Sequence, residues 1–138
     1  MNEWETEPDE VEFNYKGFNC LILRMPSRLG KGHLCGYVEL PEKNDLPNNY
    51  DDININVHGG LTFMREQKSS TRKYGVCLGF DCAHSGDLCP QMREYSHNEK
   101  DLYKNIAYVR KECESICDQL IKGVKVRYDA YKTVKVKL

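Results

Sequence analysis

The residues of this sequence that are best suited to chemistry lie between Val57 and Asp87. Two apolar runs in this stretch, VHGGLTF at 57–63 and GFDCAHSGD at 79–87, carry polar residues able to take part in reactions. An imidazole gains or loses a proton near neutral pH, and a carboxylate beside it fixes its tautomer and raises its basicity. This stretch is therefore the candidate functional site, provided that neighbouring strands bring its two halves together.

The first half of the candidate site is His58 with Gly59 and Gly60, followed by Thr62. Paired glycines at the end of a strand allow a tight turn or a close approach of backbone to a ligand. The imidazole can then project into a cleft while backbone N–H groups meet a phosphate. The alternative is a histidine whose ring is satisfied by a backbone carbonyl within the turn.

The second half is Asp81, His84 and Asp87, spaced three residues apart directly after an apolar strand. A contact between an aspartate and the imidazole would suit a general base or a metal ligand. The alternative is turn chemistry, in which the aspartates accept hydrogen bonds from nearby backbone N–H groups. If the protein is an enzyme, its predicted catalytic residues are His58, Asp81 and His84.

Cysteines near this second half leave two other possibilities open. Cys77, Cys82, His84 and Cys89 form the pattern C-x4-C-x-H-x4-C, which lacks the short Cys-x2-Cys element of structural zinc sites. We predict no metal ligands and no cofactor, with zinc as the alternative. Cys82 could instead act as a nucleophile beside a histidine. Cys113 and Cys117, one helical turn apart, are expected to pack in the core.

Basic residues at strand ends could add an anion pocket to the site. They are Arg24, Arg28, Lys31, Arg65 and Arg72. If several of them converge with His58, the pocket would suit phosphate. Tyr37, Phe63 and Tyr74 could supply a stacking face for a base. The alternative is a set of ordinary exposed cations and core aromatics.

The length of the chain indicates one domain, and its two ends differ in charge. The chain has 138 residues and a net charge of −1. We expect residues 1–10 to be flexible and acidic, with Trp4 able to dock them, and residues 11–138 to form a single domain. Residues 122–138 are basic, which predicts either attraction to the acidic end or a strip that binds an anionic partner.

Cysteine usage and hydropathy indicate a reduced cytosolic protein. The seven cysteines are an odd number, and the acidic start is unlike a secretory signal. No apolar run approaches the length of a membrane span, so we expect no membrane partner.

The elements that must position the site follow from periodicity. Alternation predicts strands at 11–15, 18–25, 33–40, 53–57 with 61–63, 74–80, 124–128 and 134–138. Residues 65–73 are predicted to be a polar excursion between strands. Ser96 to Glu99 fits a capping box, and an apolar stripe from Leu102 to Leu120 predicts a long helix. The fold class is α+β: a mostly antiparallel sheet with one long helix, in the C-terminal half, packed on one face.

Three motifs in order carry a resemblance to known proteins. They are GHLCGYVEL at 32–40, VHGGLTF at 57–63 and GFDCAHSGD at 79–87. Together they resemble a group of small proteins of unassigned activity encoded by phages and prophages of Gram-positive bacteria. The resemblance implies a phage-type accessory protein in the bacterial host cytosol. Such proteins often blunt host defence by binding a defence protein, or by sequestering or degrading a nucleotide signal.

Three functions remain open at this point. The first is binding of an anionic, nucleotide-derived small molecule. Its predicted ligand-binding residues are His58, Gly59, Gly60, Thr62, Arg65, Asp81, His84 and Asp87. The second is a small hydrolase that depends on histidine and aspartate, with or without a metal. The third is inhibition of a host defence protein by protein–protein contact. No sequence-specific nucleic-acid binding is expected, and a homo-oligomer is compatible with the sequence.

Overall fold

The computed structural model describes residues 2–68, 73–95 and 98–138, and its elements confirm the predicted α+β class. The helices of these ranges are α1 (Glu3–Thr6) and α2 (Ile106–Lys122), with short 3-10 turns at Tyr50–Asp52 and Pro90–Met92. The strands are β1 (Glu10–Tyr15), β2 (Phe18–Arg24), β3 (Leu34–Glu39), β4 (Ile53–Asn54), β5 (Phe63–Lys68), β6 (Lys73–Asp81), β7 (Val124–Val126) and β8 (Asp129–Val134).

Two antiparallel sheets are formed by these strands. The larger has the order β1-β2-β3-β6-β5, and the smaller has the order β4-β7-β8. The predicted first hairpin is confirmed. Lys16 (φ 50°) and Gly17 (φ 93°) make its turn, and two consecutive positive φ angles match the right-handed twist of the flanking strands.

The core lies between α2 and one face of the larger sheet. The buried residues of α2 recur at helical spacing: Val109, Cys113, Ile116, Cys117 and Leu120. Gly36 of β3 permits close packing, because a Cβ there would lie 2.6 Å from the Phe80 ring and 2.8 Å from Cys113 Sγ. Cys113 and Cys117 are fully buried, as expected for small apolar groups.

The long helix begins later than predicted. Residues 98–105 are not helical, because Leu102 pairs with the loop before it. Leu102 N donates to Gly86 O at 3.0 Å, and Leu88 N donates to Leu102 O at 2.9 Å. The side chain of Asn105 then caps α2 by accepting a hydrogen bond from Tyr108 N.

The strand predicted at 53–57 is reduced to β4, because side chains of α2 take over its backbone groups. Gln119 Oε1 accepts from Asn56 N at 2.9 Å, and Glu112 Oε1 accepts from His58 N at 2.8 Å. Part of the predicted polar excursion is a strand: β5 runs over Phe63–Lys68 at the edge of the larger sheet.

The C-terminal strands are shifted from their predicted positions. β7 ends at Val126 and β8 begins at Asp129, so the hairpin turn is Arg127–Tyr128. Residues 135–138, predicted to be part of the last strand, continue without strand structure.

The N-terminal segment, which the sequence predicts to be flexible, makes contacts with the rest of the protein. Buried Arg24 binds Glu7 Oε1 at 3.3 Å, Asp9 Oδ1 at 3.0 Å and the Tyr103 hydroxyl at 2.8 Å. The predicted docking role of Trp4 is seen in its edge contact with Tyr103, with ring centroids 5.0 Å apart.

Several predicted features lie outside the described residues: Arg72 of the anion pocket, and Ser96 and His97 of the capping box. The helices within the described ranges are too short or too polar to cross a membrane.

Candidate functional site

Two glycine-containing turns form the site. In the first, Gly60 N donates to Val57 O at 2.9 Å, and Gly59 has φ 68°. In the second, Asp87 N donates to His84 O at 2.9 Å, and Gly86 has φ 92°. In each turn the third residue needs a positive φ, which glycine adopts without steric cost.

The two turns lie side by side at one end of the larger sheet. The rings of His58 and His84 have centroids 6.0 Å apart. A Cβ added at Gly59 would overlap the Cδ2 and Nε2 atoms of His84. Thr62 N donates to Gly79 O at 3.0 Å, which ties the first turn to β6. The expected convergence of the two halves is therefore present.

His58 is held at both ring nitrogens. Nε2 lies 2.8 Å from Asp87 Oδ2, and Nδ1 lies 2.9 Å from the Tyr108 hydroxyl. With neutral His58, the aspartate fixes the proton on Nε2, so Nδ1 accepts a hydrogen bond from the phenol. The result is a chain of hydroxyl, imidazole and carboxylate.

Asp87 is the buried end of this chain, with a side chain only 1% exposed. Lys104 Nζ lies 3.2 Å from Asp87 Oδ1, at ion-pair distance but without hydrogen-bond alignment. Burial by itself raises the pKa of Asp87. Contacts from His58, the His84 backbone N–H and Lys104 outweigh it and hold the pKa below its usual value.

Asp81 and His84 form a second pair at the surface. His84 Nε2 lies 3.0 Å from Asp81 Oδ1, again at ion-pair distance, but the two atoms are not aligned for a hydrogen bond. The carboxylate accepts instead from Ala83 N at 3.1 Å and from Thr62 Oγ1 at 3.1 Å. Asp81 therefore combines the predicted turn role with a position beside an imidazole.

Comparison with protein-family models, curated proteins and solved structures found no match to this chain.

A cavity of about 320 Å³ lies beside Thr62, two residues after the first turn. It is lined by Asn48, Asn49, Tyr50, Thr62, Phe63, Met64 and Arg65. The Arg65 guanidinium lies over the Phe63 ring at 4.9 Å, which leaves a cation at the cavity wall. Asp81 and His84 do not line this cavity, but Thr62, which does, donates a hydrogen bond to Asp81.

Sequence reasoning missed several residues that complete the site. Lys104, Tyr108 and Glu112 come from α2 and the segment before it, and nothing in their types or spacing marks them. His33 also lies within electrostatic range of Asp81, Asp87 and His84. Burial lowers the pKa of His33, although both aspartates oppose this. Gln91 Nε2 lies 2.8 Å from its Nδ1.

The zinc and nucleophile alternatives gain no support from the geometry. Cys77 belongs to the small cluster on one face of the sheet, whereas Cys82 lies in the main core. Within the described ranges, no group of three or more His, Cys, Asp or Glu residues is placed to hold a metal. Burial raises the pKa of Cys82 far above its usual value, so its thiol is a poor nucleophile.

The predicted anion pocket is reduced to Arg65. Arg24 forms ion pairs with Glu7 and Asp9, and Lys31 Nζ lies 2.6 Å from Asp9 Oδ1. These two cations are neutralised by the N-terminal segment. Among the described predicted cations, Arg65 is the one that lines the cavity next to Thr62.

Proposed function

We propose that the protein binds a small anionic, nucleotide-derived ligand in the cavity beside Thr62, with the paired turns fixing the ligand's far end. One observation carries the proposal: the cavity contains both Thr62 and Arg65, and Thr62 connects it to Asp81 and His84. The cavity volume lies within the range of small-molecule sites.

The cation at the cavity wall supports an anionic ligand. Within the part of the chain that the structure describes, no carboxylate forms an ion pair with Arg65. The planar guanidinium can bind a phosphate through two parallel hydrogen bonds. Tyr50 lines the same cavity and offers an aromatic face for a base, whereas the Phe63 ring is already covered by Arg65.

Asp81 and His84, at the far end of the proposed site, support recognition of hydroxyl groups on the ligand. Asp81 already accepts from the hydroxyl of Thr62, and a ribose hydroxyl presents the same donor. His84 lies against Asp81 and is packed on Gly59, so its ring is held in one orientation. A site built in this way holds a ligand without needing to change it.

The resemblance to phage-encoded proteins decides which ligands to try first. A phage-type accessory protein that acts in the host cytosol would gain from sequestering a signalling nucleotide of host defence. We therefore propose such a nucleotide as the ligand class, with cyclic dinucleotides and cyclic ADP-ribose isomers as probes.

The test is retention and release. The purified protein is incubated with each probe, separated from free ligand and heated, and the released ligand is identified by mass. Intact ligand from the wild type and at least tenfold weaker binding by Arg65→Ala are the expected results. Arg110→Ala is the matched control, because Arg110 also stacks on an aromatic ring, Phe13, at 4.2 Å. No retention of any probe, or equal losses in both variants, contradicts the proposal.

A small acid–base enzyme is the second candidate, favoured by the chain from Tyr108 through His58 to Asp87. A hydroxyl, an imidazole and a carboxylate in this order are the parts from which proton relays are built. Burial raises the pKa of Tyr108, and the Glu112 carboxylate raises it further, so the phenol stays protonated and can act as an acid.

The same release experiment separates the two candidates. Altered ligand returning from the wild type, together with intact ligand from Tyr108→Phe, supports the enzyme. Intact ligand from both proteins supports binding alone.

A further inference from the structure

The C-terminal hairpin concentrates positive charge in a chain whose net charge is −1. Residues 122–138 carry six basic side chains: Lys122, Lys125, Arg127, Lys132, Lys135 and Lys137. Asp129 is the only acidic side chain among them. All six basic side chains are exposed, and none forms an ion pair with any residue in the described ranges. The charge is therefore not used to hold this domain together.

Two exposed tyrosines accompany these cations. Tyr131 of β8 is 97% exposed, and Tyr128 in the hairpin turn is 66% exposed. A phenol ring buries a large apolar area when it packs, so two exposed rings on one hairpin offer a surface on which a partner can stack. Both rings lie within a few residues of Arg127 and Lys132.

The smaller sheet has one buried and one open face. Val124, Val126 and Val134 point into the core. Lys125, which alternates with the two valines of β7, points outward and is paired in register with Thr133. Tyr131 lies two residues before Thr133, in the part of β8 where its register with β7 shifts, so it is the exposure of its ring, like that of Lys125, that leaves it open to a partner. β8 is also the last strand of its sheet.

We propose that this hairpin binds single-stranded nucleic acid without sequence selection. Lysine and arginine side chains would contact successive phosphates, and the two tyrosines would stack on bases that a single strand leaves accessible. Double-stranded nucleic acid hides its base faces and would use the cations alone. An acidic protein surface would also satisfy the lysines, but it offers no regular run of flat faces for the two rings, whereas every base of a single strand has one.

Binding to a fluorescein-labelled oligothymidine of about 20 nucleotides, followed by anisotropy, tests the proposal. If about four cations contact phosphates, the affinity should fall roughly 50-fold between about 50 and 200 mM salt. The triple variant Lys125→Glu, Lys132→Glu, Lys135→Glu should bind at least tenfold more weakly. Tyr131→Ala should weaken binding about fivefold or more, as expected from the loss of one stacked base.

The matched control reverses three exposed lysines elsewhere: Lys43→Glu, Lys100→Glu, Lys111→Glu. It changes the net charge by the same amount and should keep binding within about twofold. Arg65→Ala is a second control, because it disables the proposed ligand cavity without touching the hairpin. Circular dichroism verifies that each variant is folded.

Three results would overturn the proposal: no binding by the wild type, equal losses in the two triple variants, or full affinity in Tyr131→Ala with polyglutamate competing as well as the oligonucleotide. The last result would identify the hairpin as a surface for an acidic protein.

Discussion

The imidazole of His84 packs against the backbone of Gly59, where a side chain on the first turn would collide with the second turn. The two halves of the site are therefore fitted to each other. The glycine pair that suggested an approach of backbone to ligand also allows an approach of one turn to the other. Whether the turns also contact a ligand stays a prediction.

Gly59→Ala and Gly60→Ala should differ in a way that isolates this contact. Both residues have positive φ, so each substitution should cost about 1–2 kcal/mol of unfolding free energy. Only Gly59→Ala also displaces His84, because nothing lies within 4 Å of a Cβ at Gly60. Urea unfolding measures the shared cost, and the NMR signals of the His84 ring should shift only in Gly59→Ala. Equal ring shifts in both variants would contradict the packing.

His58→Ala should weaken folding as well as ligand handling. The His58 ring contacts Asp87, whose side chain is almost fully buried. Leaving a buried carboxylate oxygen without that partner should cost about 1–3 kcal/mol. Tyr108→Phe removes only the hydroxyl at the exposed end and should cost less than about 1 kcal/mol. Thermal unfolding of both variants measures the difference, and equal costs would argue against the buried end as the stabilising one.

Asp87 should make the protein sensitive to acid. Its pKa is lower folded than unfolded, so the native state favours the ionised form. That contribution is present above the unfolded pKa of about 3.9 and is lost as the pH falls through the folded value. The stability difference between wild type and Asp87→Asn should therefore shrink below about pH 4. Urea unfolding across the acid range measures it, and a constant difference would refute the role of Asp87. Asp118→Asn, in an exposed pair with Lys16, is the control.

Arg24 should fasten the N-terminal segment. Removing it as Arg24→Ala leaves Glu7 without its buried cation, which should cost about 3–5 kcal/mol. Lys31→Ala breaks only a partly exposed pair with Asp9 and should cost at most about 1 kcal/mol. Limited proteolysis near residues 2–9, together with thermal unfolding, gives the measurement. Equal protection of the segment in both variants would show that Arg24 does not hold it.

Local patterns predict the fold well where local contacts decide it. The hairpin at Lys16–Gly17 and the stripe on α2 are both visible as short-range periodicity. The apolar stripe predicts too early a start for α2, because Leu102 continues the stripe although its backbone pairs with Gly86 and Leu88. Such pairing between distant segments leaves no local signal, although Asn105 is a readable capping residue.

The site was predictable only in part for the same reason. His58, Asp81, His84 and Asp87 stand out as a cluster of reactive types, and they do converge. Asp87 binds His58, and Asp81 lies beside His84, a division that the spacing alone does not predict. Asp81 lies four residues after Cys77 on β6, so both are on the sheet face opposite α2. Val57, the residue before His58, packs in the core beneath the helix. Tyr108 is a common type on a helix surface, so only the tertiary structure reveals it.

The hydrogen bonds of His58 link α2 to the loop that carries Asp87. Glu112 and Tyr108 fix its backbone and one ring nitrogen from the helix, and Asp87 fixes the other nitrogen from the loop. Any sliding of the helix relative to that loop must stretch one of these bonds. The nitrogen chemical shifts of the His58 ring would therefore report any movement of α2 relative to the loop that carries Asp87.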